Sequence, residues 1–327
     1  MASTTIATSH GLTEEKWKKD LFKKYQEDTF FGKFKGMGGK SVIQVSQELS
    51  KGAGDAVTFG FGNSIRGTSG VTGNTPLEGE SGGTYTVNNE AMAFNNQRVV
   101  IDQLRQSIKL AGVMDEKRTA INLRNEAKSQ LTDWLAYNED QALFTALNGA
   151  DTVLTTFITG TGLTYDAIVD MKKEAMFPSA DNIATGKKTR KIEPVRVDGG
   201  EEVFILGVNP SDAAAFRKSS DFKNFNQNAD FRGSKNAIFT GALGVFNNVV
   251  IHEHSSFTAG TPVLMGANAA FLAFGTEILY GEDTFDYDNQ TGFMIGSIRG
   301  AALAKHEGIS DNADGSSYGA IKFNIAS

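Results

Sequence analysis

The sequence predicts an α+β chain with one dominant helix and antiparallel sheet, and three observations predict it. Between Gly112 and Gly149 there is no glycine or proline, while apolar residues recur at helical spacing. Beyond Glu201 the pattern changes to short apolar or alternating runs separated by turn residues, the signature of strands. Between these regions and the N-terminus lies Gly60 to Glu90, which carries eight glycines, one proline and almost nothing that could build a core. Connections in compact domains are usually about 4 to 6 residues, so a stretch of this length has to be explained.

Taken in order, the chain opens with a polar start and a Lys-rich amphipathic stretch, Thr13 to Lys24, in which Trp17, Leu21 and Phe22 can share one helical face. This reads as an arm that docks rather than a domain. "DAVTFGFG" from Asp55 alternates, with Val57, Phe59 and Phe61 on one side, and "RVVIDQL" from Arg98 to Leu104 is the expected returning strand. Gly60 to Glu90 is then the tip of a long two-stranded excursion. Such a hairpin is marginal alone in water, so its stability should come from a surface elsewhere.

In the long helix, Ala120, Leu123, Ala127, Leu131, Trp134, Leu135, Ala142, Leu143, Ala146 and Leu147 form the apolar stripe, and Leu131 and Trp134 are expected to be buried. Asp115 and Glu116 suit its positive end and Gly149 its C-terminal cap, giving a rod on the order of 50 Å. A second helix is predicted from "TYDAIVDMKKEAMFP", with Thr164 as N-cap and Pro178 as terminator. After a basic connector, "GKKTRKIEPVR", "EEVFILGV" reads as a buried strand. "NPSDAAAFRK" reads as a short helix capped by Asn209 with Pro210 at its first position. "GVFNNVVIHEH" reads as a hairpin turning at Asn247 and Asn248. "PVLMGANAAFLAFG", "GFMIGSIRGAALAKH" and "YGAIKFNIA" supply the remaining strands.

Composition narrows the function. The 327 residues are 40% hydrophobic, enough for a sizeable core, and no apolar run approaches the roughly 18 residues of a membrane span. The N-terminus lacks the apolar centre of a secretory signal, so the chain is expected to be made and used without crossing a membrane. There are no cysteines, which removes disulfides and thiolate chemistry and points to a reducing compartment. A net charge of -6 and a pI of 5.4 argue against a dedicated nucleic-acid binder, which would present a basic surface.

No motif supplies an active site. "GMGGKS", Gly36 to Ser41, ends like a phosphate-binding loop, but Phe34 stands where its first glycine is needed, and the segment reads as a turn out of the arm. His252 and His254 lie two apart on a strand with Glu253 between them and His306 far downstream. A metal needs three or four ligands and no third is in view, so they read as exposed strand histidines. "SDNADG" has Ser310 and Ile321 where a calcium loop needs its first Asp and last Glu, and reads as a turn. No catalytic residues, cofactor or metal are expected.

A resemblance then becomes specific. "GDAVTFGF", "GVTGNTPLEGE", "DQLRQSIKLAGVMDEKRTAINLRNEAKSQLTDWLAYNEDQALFTALNGA", "IFTGALGVFNNVVIHEH", "LMGANAAFLAFG" and "DTFDYDNQTGF" closely resemble, in this order, the major capsid proteins of tailed bacteriophages, in particular those typified by a podovirus of enterobacteria. The resemblance runs from about Asp55 to the C-terminus. It implies an HK97-like major capsid fold with an N-arm (1–54), an extended β-hairpin loop or E-loop (55–106), a long spine helix and peripheral (P) domain (107–202), an axial (A) domain (203–275) and return strands to the peripheral domain (276–327). Within it, Asp115 to Leu147 looks like the spine helix, with Leu123, Leu131, Trp134 and Leu135 in its core.

The resemblance also answers the question of the glycine-rich tip. In such shells the E-loop lies across the neighbouring subunit, which implies intersubunit contacts from Ile65, Arg66, Val71, Pro76, Leu77, Glu78 and Tyr85. The glycines suit a loop that must follow slightly different paths at different positions. The implied function is that of a non-enzymatic major capsid protein of the virion. It would assemble in the host cytoplasm as hexamers and pentamers into an icosahedral shell. Its implied partners are copies of itself, a scaffolding protein, the portal, a decoration or cement protein, and packaged double-stranded DNA enclosed without sequence-specific contacts, with no membrane. Some shells of this fold are locked by an isopeptide bond from an E-loop lysine, but Phe61 to Arg98 contains none. The connector Lys187 to Arg196 is either a solvated loop or an intercapsomer contact to carboxylates. Two other classes stand beside this one. A globular enzyme with a long flap would form a small oligomer with a concave pocket. A tail or fibre protein would favour repeats or a trimeric coiled coil, and neither is visible in the sequence.

Overall fold

The computed structural model describes residues 24–25, 29–47, 54–62, 94–153, 162–178, 191–219, 222, 243–306 and 315–325. Its elements run β1 (Lys35–Gly36), β2 (Ile43–Ser46), β3 (Ala56–Gly62), β4 (Phe94–Val100), β5 (Asp102–Lys109), α1 (Val113–Arg118), α2 (Leu123–Asn148), β6 (Thr152–Val153), α3 (Tyr165–Met176), β7 (Arg196–Asp198), β8 (Glu201–Val208), α4 (Pro210–Lys218), β9 (Gly244–Phe246), β10 (Val249–Glu253), β11 (Val263–Met265), β12 (Ala270–Phe285), β13 (Gln290–Leu303) and β14 (Ala320–Phe323). The chain divides into two compact units. The first comprises Met1–Val57, Val99–Ala146 and Leu272–Ala302, and the second Thr58–Arg98, Leu147–Phe271 and Leu303–Ser327.

The first unit is built on a five-stranded sheet in the order β1-β2-β12-β13-β5. Helix α2 covers it: Ala127, Leu131, Leu135 and Ala136 pack with Tyr25, Leu110, Ile278, Phe293 and Ile295 in one apolar cluster. Leu131 and Leu135 are fully inside this cluster, whereas Leu123 and Trp134 are half-buried at its margin. Leu123 and Trp134, both expected in the core, therefore sit at its edge. The expected single rod is also two helices. Thr119 takes extended backbone and its hydroxyl donates to the Asp115 carbonyl at 2.9 Å, closing α1. Asn122 then starts α2, its Oδ1 accepting from the Asn125 N–H at 3.2 Å, as an N-cap does. Side chains that compete for backbone partners end one helix and begin the next without any glycine or proline. The main helix is 26 residues, about 39 Å, and Ala120 and Ile121 lie exposed in the break.

The second unit is a seven-stranded sheet in the order β6-β14-β11-β8-β10-β9, with β7 also on β8. It is mixed, not antiparallel as the sequence suggested: β10 runs parallel to β8 and β14 parallel to β6. Strand β8 is followed by a crossover containing α4, which gives the chain the length to return to β10 in the same direction. From Phe204 onward β8 is buried, and Phe204, Leu206, Val249, Ile251, Leu264, Ile321 and Phe323 form the sheet's share of the core. The apolar faces of α3 (Ala167, Ile168, Met171, Ala175) and α4 (Ala213, Phe216) supply the rest.

Local signals place the connections of this unit. The Thr164 hydroxyl accepts from the Ala167 N–H at the start of α3, and Asn209 Oδ1 accepts from the Ser211 N–H ahead of Pro210 at the start of α4. Asn247 and Asn248 have φ of 48° and 60°, the two left-handed residues of a hairpin turn. His252, expected to be exposed, is buried on β10, opposite Gly207 of β8. His254 is half-buried, its Nδ1 accepting from the Ser256 N–H at 3.2 Å. His306 is buried with its ring 5.0 Å from that of Tyr318.

Candidate functional site

Within the first unit, the segment after Tyr25 is seated on α2 by charge and aromatic contact. Asp140 accepts from the N–H groups of Phe30 and Phe31 at 2.7 and 3.2 Å, supplying partners for a 3-10 turn that spans Phe30–Phe34. The rings of Phe30 and Phe31 lie 5.6 and 4.6 Å from Phe144 on the next turn of the helix. Lys35, on β1, pairs with Glu139, which also faces Arg299 Nη1 at 3.5 Å. Glu139 is wholly buried and Arg299 nearly so.

Burial pushes the Glu139 carboxyl up and the Lys35 ammonium down, and Arg299 pulls Glu139 back towards the charged form. Glu277, half-buried on β12, is also pushed up by burial and drawn down by Lys35. Buried ion pairs contribute little net stability over an apolar replacement, and their best-attested use is to fix a register. Here the pair ties Lys35 on β1 to Glu139 on α2. Lys35, Glu139, Asp140 and Arg299 were absent from the sequence prediction, although a signal existed. Glu139 continues the four-residue steps Ala127, Leu131, Leu135, and Arg299 continues the alternation Phe293, Ile295, Ser297.

The base of the hairpin is built from β3 and β4, paired as a two-stranded sheet. Val57 and Phe59 are buried on one side as the alternation required, and the Phe59 ring stacks on Phe271 at 4.4 Å and 10°. The returning strand begins at Phe94 and ends at Val100. Asp102 to Leu104, expected in it, belong instead to β5 of the five-stranded sheet. Gln97 Oε1 accepts from the Lys305 N–H at 3.2 Å. The expected contact residues Ile65, Arg66, Val71, Pro76, Leu77, Glu78 and Tyr85 lie outside the described residues, as does "SDNADG" up to Asp314.

Two connector cations have partners in their own chain: Lys191 meets Glu202 at 2.6 Å and Arg196 meets Asp198 at 2.8 Å, while Lys187, Lys188 and Arg190 lie outside the described residues. "GMGGKS" is the turn between β1 and β2, closed by the Ser41 N–H donating to the Gly38 carbonyl at 3.0 Å. Among the described residues no three His, Asp or Glu side chains are grouped to hold a metal, and no helix is long and apolar enough to cross a membrane.

This arrangement of a helix-covered sheet, a mixed sheet with two helices and a two-stranded excursion is the HK97-like fold of capsid subunits. The chain is similar to the capsid of Ralstonia phage GP4, with a TM-score of 0.68 and 23% identity over 91% of both chains. It is similar to the head structure of Helicobacter pylori bacteriophage KHP40, with a TM-score of 0.70 and 16% identity over 90% of this chain and 91% of that one. In sequence it is 25% identical to the major capsid protein of Pseudomonas phage KPP25, over 96% of each. Residues 5–161 and 158–262 match the family described as phage capsid protein, and the chain belongs to that family.

Proposed function

We propose that this chain is the major capsid protein of a tailed bacteriophage, and that its copies close as hexamers and pentamers into an icosahedral head around double-stranded DNA. The family match over residues 5–262 carries this reading. A fold shared with phage capsids over nine-tenths of the chain supports it. The work is geometric rather than catalytic. Each unit carries its own apolar core, so a subunit can serve as a preformed block, while the glycine-rich residues 60–90 have little with which to build one. We assign their burial to a neighbouring copy, through Ile65, Arg66, Val71, Pro76, Leu77, Glu78 and Tyr85.

The five segments expected from the sequence serve in this reading as N-arm, E-loop, spine helix with peripheral domain, axial domain and return strands. The net charge of -6 suits a lining that encloses DNA without gripping it. Assembly takes place in the host cytoplasm and is guided by a separate scaffolding chain. The portal occupies one vertex, and a decoration or cement protein strengthens the shell. Electron microscopy of the protein expressed with and without its scaffold tests the proposal. Closed icosahedral shells are expected, uniform in size only with scaffold. Small discrete oligomers under both conditions would overturn it.

A further inference from the structure

The five-stranded sheet ends on an edge of eight residues. Among the described residues β5 pairs with β13 alone, and every β5 residue is exposed except Ile108, which is half-buried. The register decides which backbone groups face outward. Leu110 donates to the Thr291 carbonyl, and Lys109 stands opposite Gly292, so in an antiparallel ladder the even residues 102 to 110 exchange hydrogen bonds with β13. The odd residues Gln103, Arg105, Ser107 and Lys109 therefore turn their N–H and C=O groups away from the sheet. Ile101 confirms the parity, for its outward N–H is taken by the Asp55 carbonyl at 3.0 Å, and the N–H of Gln103 is met by the Asp102 carboxylate at 2.7 Å. Among the described residues nothing pairs with the outer side of Arg105 to Lys109, and this stretch holds no proline; its only blunting features are the charges of Arg105 and Lys109.

We propose that β5 pairs antiparallel with β5 of a second copy of this chain across a twofold axis at Gln106, joining two five-stranded sheets into one. This rests on the reading of the chain as a self-assembling capsid subunit. The occupant is a second copy because the strand can oppose itself in one register without setting like charges directly opposite each other. Only odd residues can exchange hydrogen bonds outward, so the axis falls at Arg105, Gln106 or Ser107 if most of the strand is to pair. An axis at Arg105 sets Arg105 against its own copy, and one at Ser107 sets Arg105 against Lys109; like charges directly opposite are destabilising. An axis at Gln106 sets Arg105 against Ser107, Lys109 against Gln103 and Leu104 against Ile108. The ammonium of Lys109 is already held over the Phe285 ring at 4.7 Å, away from competition for the edge.

The test uses the absence of cysteine from the chain. At Gln106 the two copies would form a non-hydrogen-bonded pair, with Cα atoms about 4.5 Å apart, a separation that a disulfide spans. Shells of Gln106→Cys, oxidised with copper phenanthroline, should run as dimers on a non-reducing gel. Gln103→Cys, whose residue stands opposite Lys109 and far from its own copy, should remain monomeric. Monomeric Gln106→Cys shells, or dimers of both variants alike, would overturn the pairing and leave the capsid reading intact. If Gln106→Cys fails to assemble, a density map of wild-type shells decides: twofold-related Gln106 Cα atoms more than about 10 Å apart refute the pairing, since paired strands lie about 5 Å apart. A wild-type chain that makes no shells overturns the function and the pairing with it.

Discussion

Replacing Leu135 by Ala tests whether α2 is held by the core of its own subunit. Leu135 is fully buried in the cluster with Leu131, Phe293 and Ile295. The change removes three carbons, worth about 0.8 kcal/mol each in transfer free energy, or about 2.4 kcal/mol. The sheet beneath cannot collapse fully into the space, so a cavity adds to this and the expected cost is about 3 to 4 kcal/mol. Trp134, one residue away, is half-buried at the cluster's edge, and Trp134→Ala should cost less than Leu135→Ala although it deletes more atoms. Tyr137, exposed on the opposite face, should tolerate Ala to within about 0.5 kcal/mol. Urea unfolding followed by circular dichroism on dissociated subunits reads all three variants without depending on either tryptophan. Equal losses for Leu135→Ala and Tyr137→Ala, or a larger loss for Trp134→Ala than for Leu135→Ala, would mean that the helix presents a different face to its sheet.

Shortening Ser64 to Thr86 should leave unfolding in urea unchanged and abolish shells, because that segment is assigned its burial between chains; normal shells from the deletion variant would refute the assignment. Mature particles boiled in detergent should release one band near 35.1 kDa, since residues 61–98 hold no lysine and the chain no cysteine, and a ladder of covalent multimers would be the contrary result. Burial, with the Glu193 carboxylate adding to it, raises the Tyr318 hydroxyl to about 12, above its unfolded value of 10.0. Its contribution to stability is therefore complete below pH 10 and is lost as pH rises through 12. Between these limits the wild type should lose stability more steeply than Tyr318→Phe, and parallel pH profiles in urea unfolding would count against the raised value.

Much of the second unit is written in short stretches. Thr164, Asn209 with Pro210, and the Asn247-Asn248 turn each act on backbone groups within about four residues, so their effect does not depend on the rest of the chain. The helix break at Thr119 to Asn122 is also local, and Asn122 ahead of a run of helix formers was a legible start signal. The run without glycine or proline from 113 to 148 masks it, because helix-forming residues lie on both sides of the break. The burial of His252 had no such signal: "VVIHEH" alternates identically on an edge strand and on an interior one.

By itself, then, the sequence determined the capping, the turn chemistry, the apolar stripe of α2 and the family, since these depend on residue types at fixed short spacings. Tertiary structure alone decided the parallel pairing of β8 with β10, the neighbours of His252 and the meeting of Lys35, Glu139 and Arg299. The physical reason is range. Glu139 lies 104 residues from Lys35 and 160 from Arg299. A buried carboxyl needs a counter-charge or must give up its own charge, and nothing within a few residues of Glu139 says where the chain will bring Lys35 and Arg299.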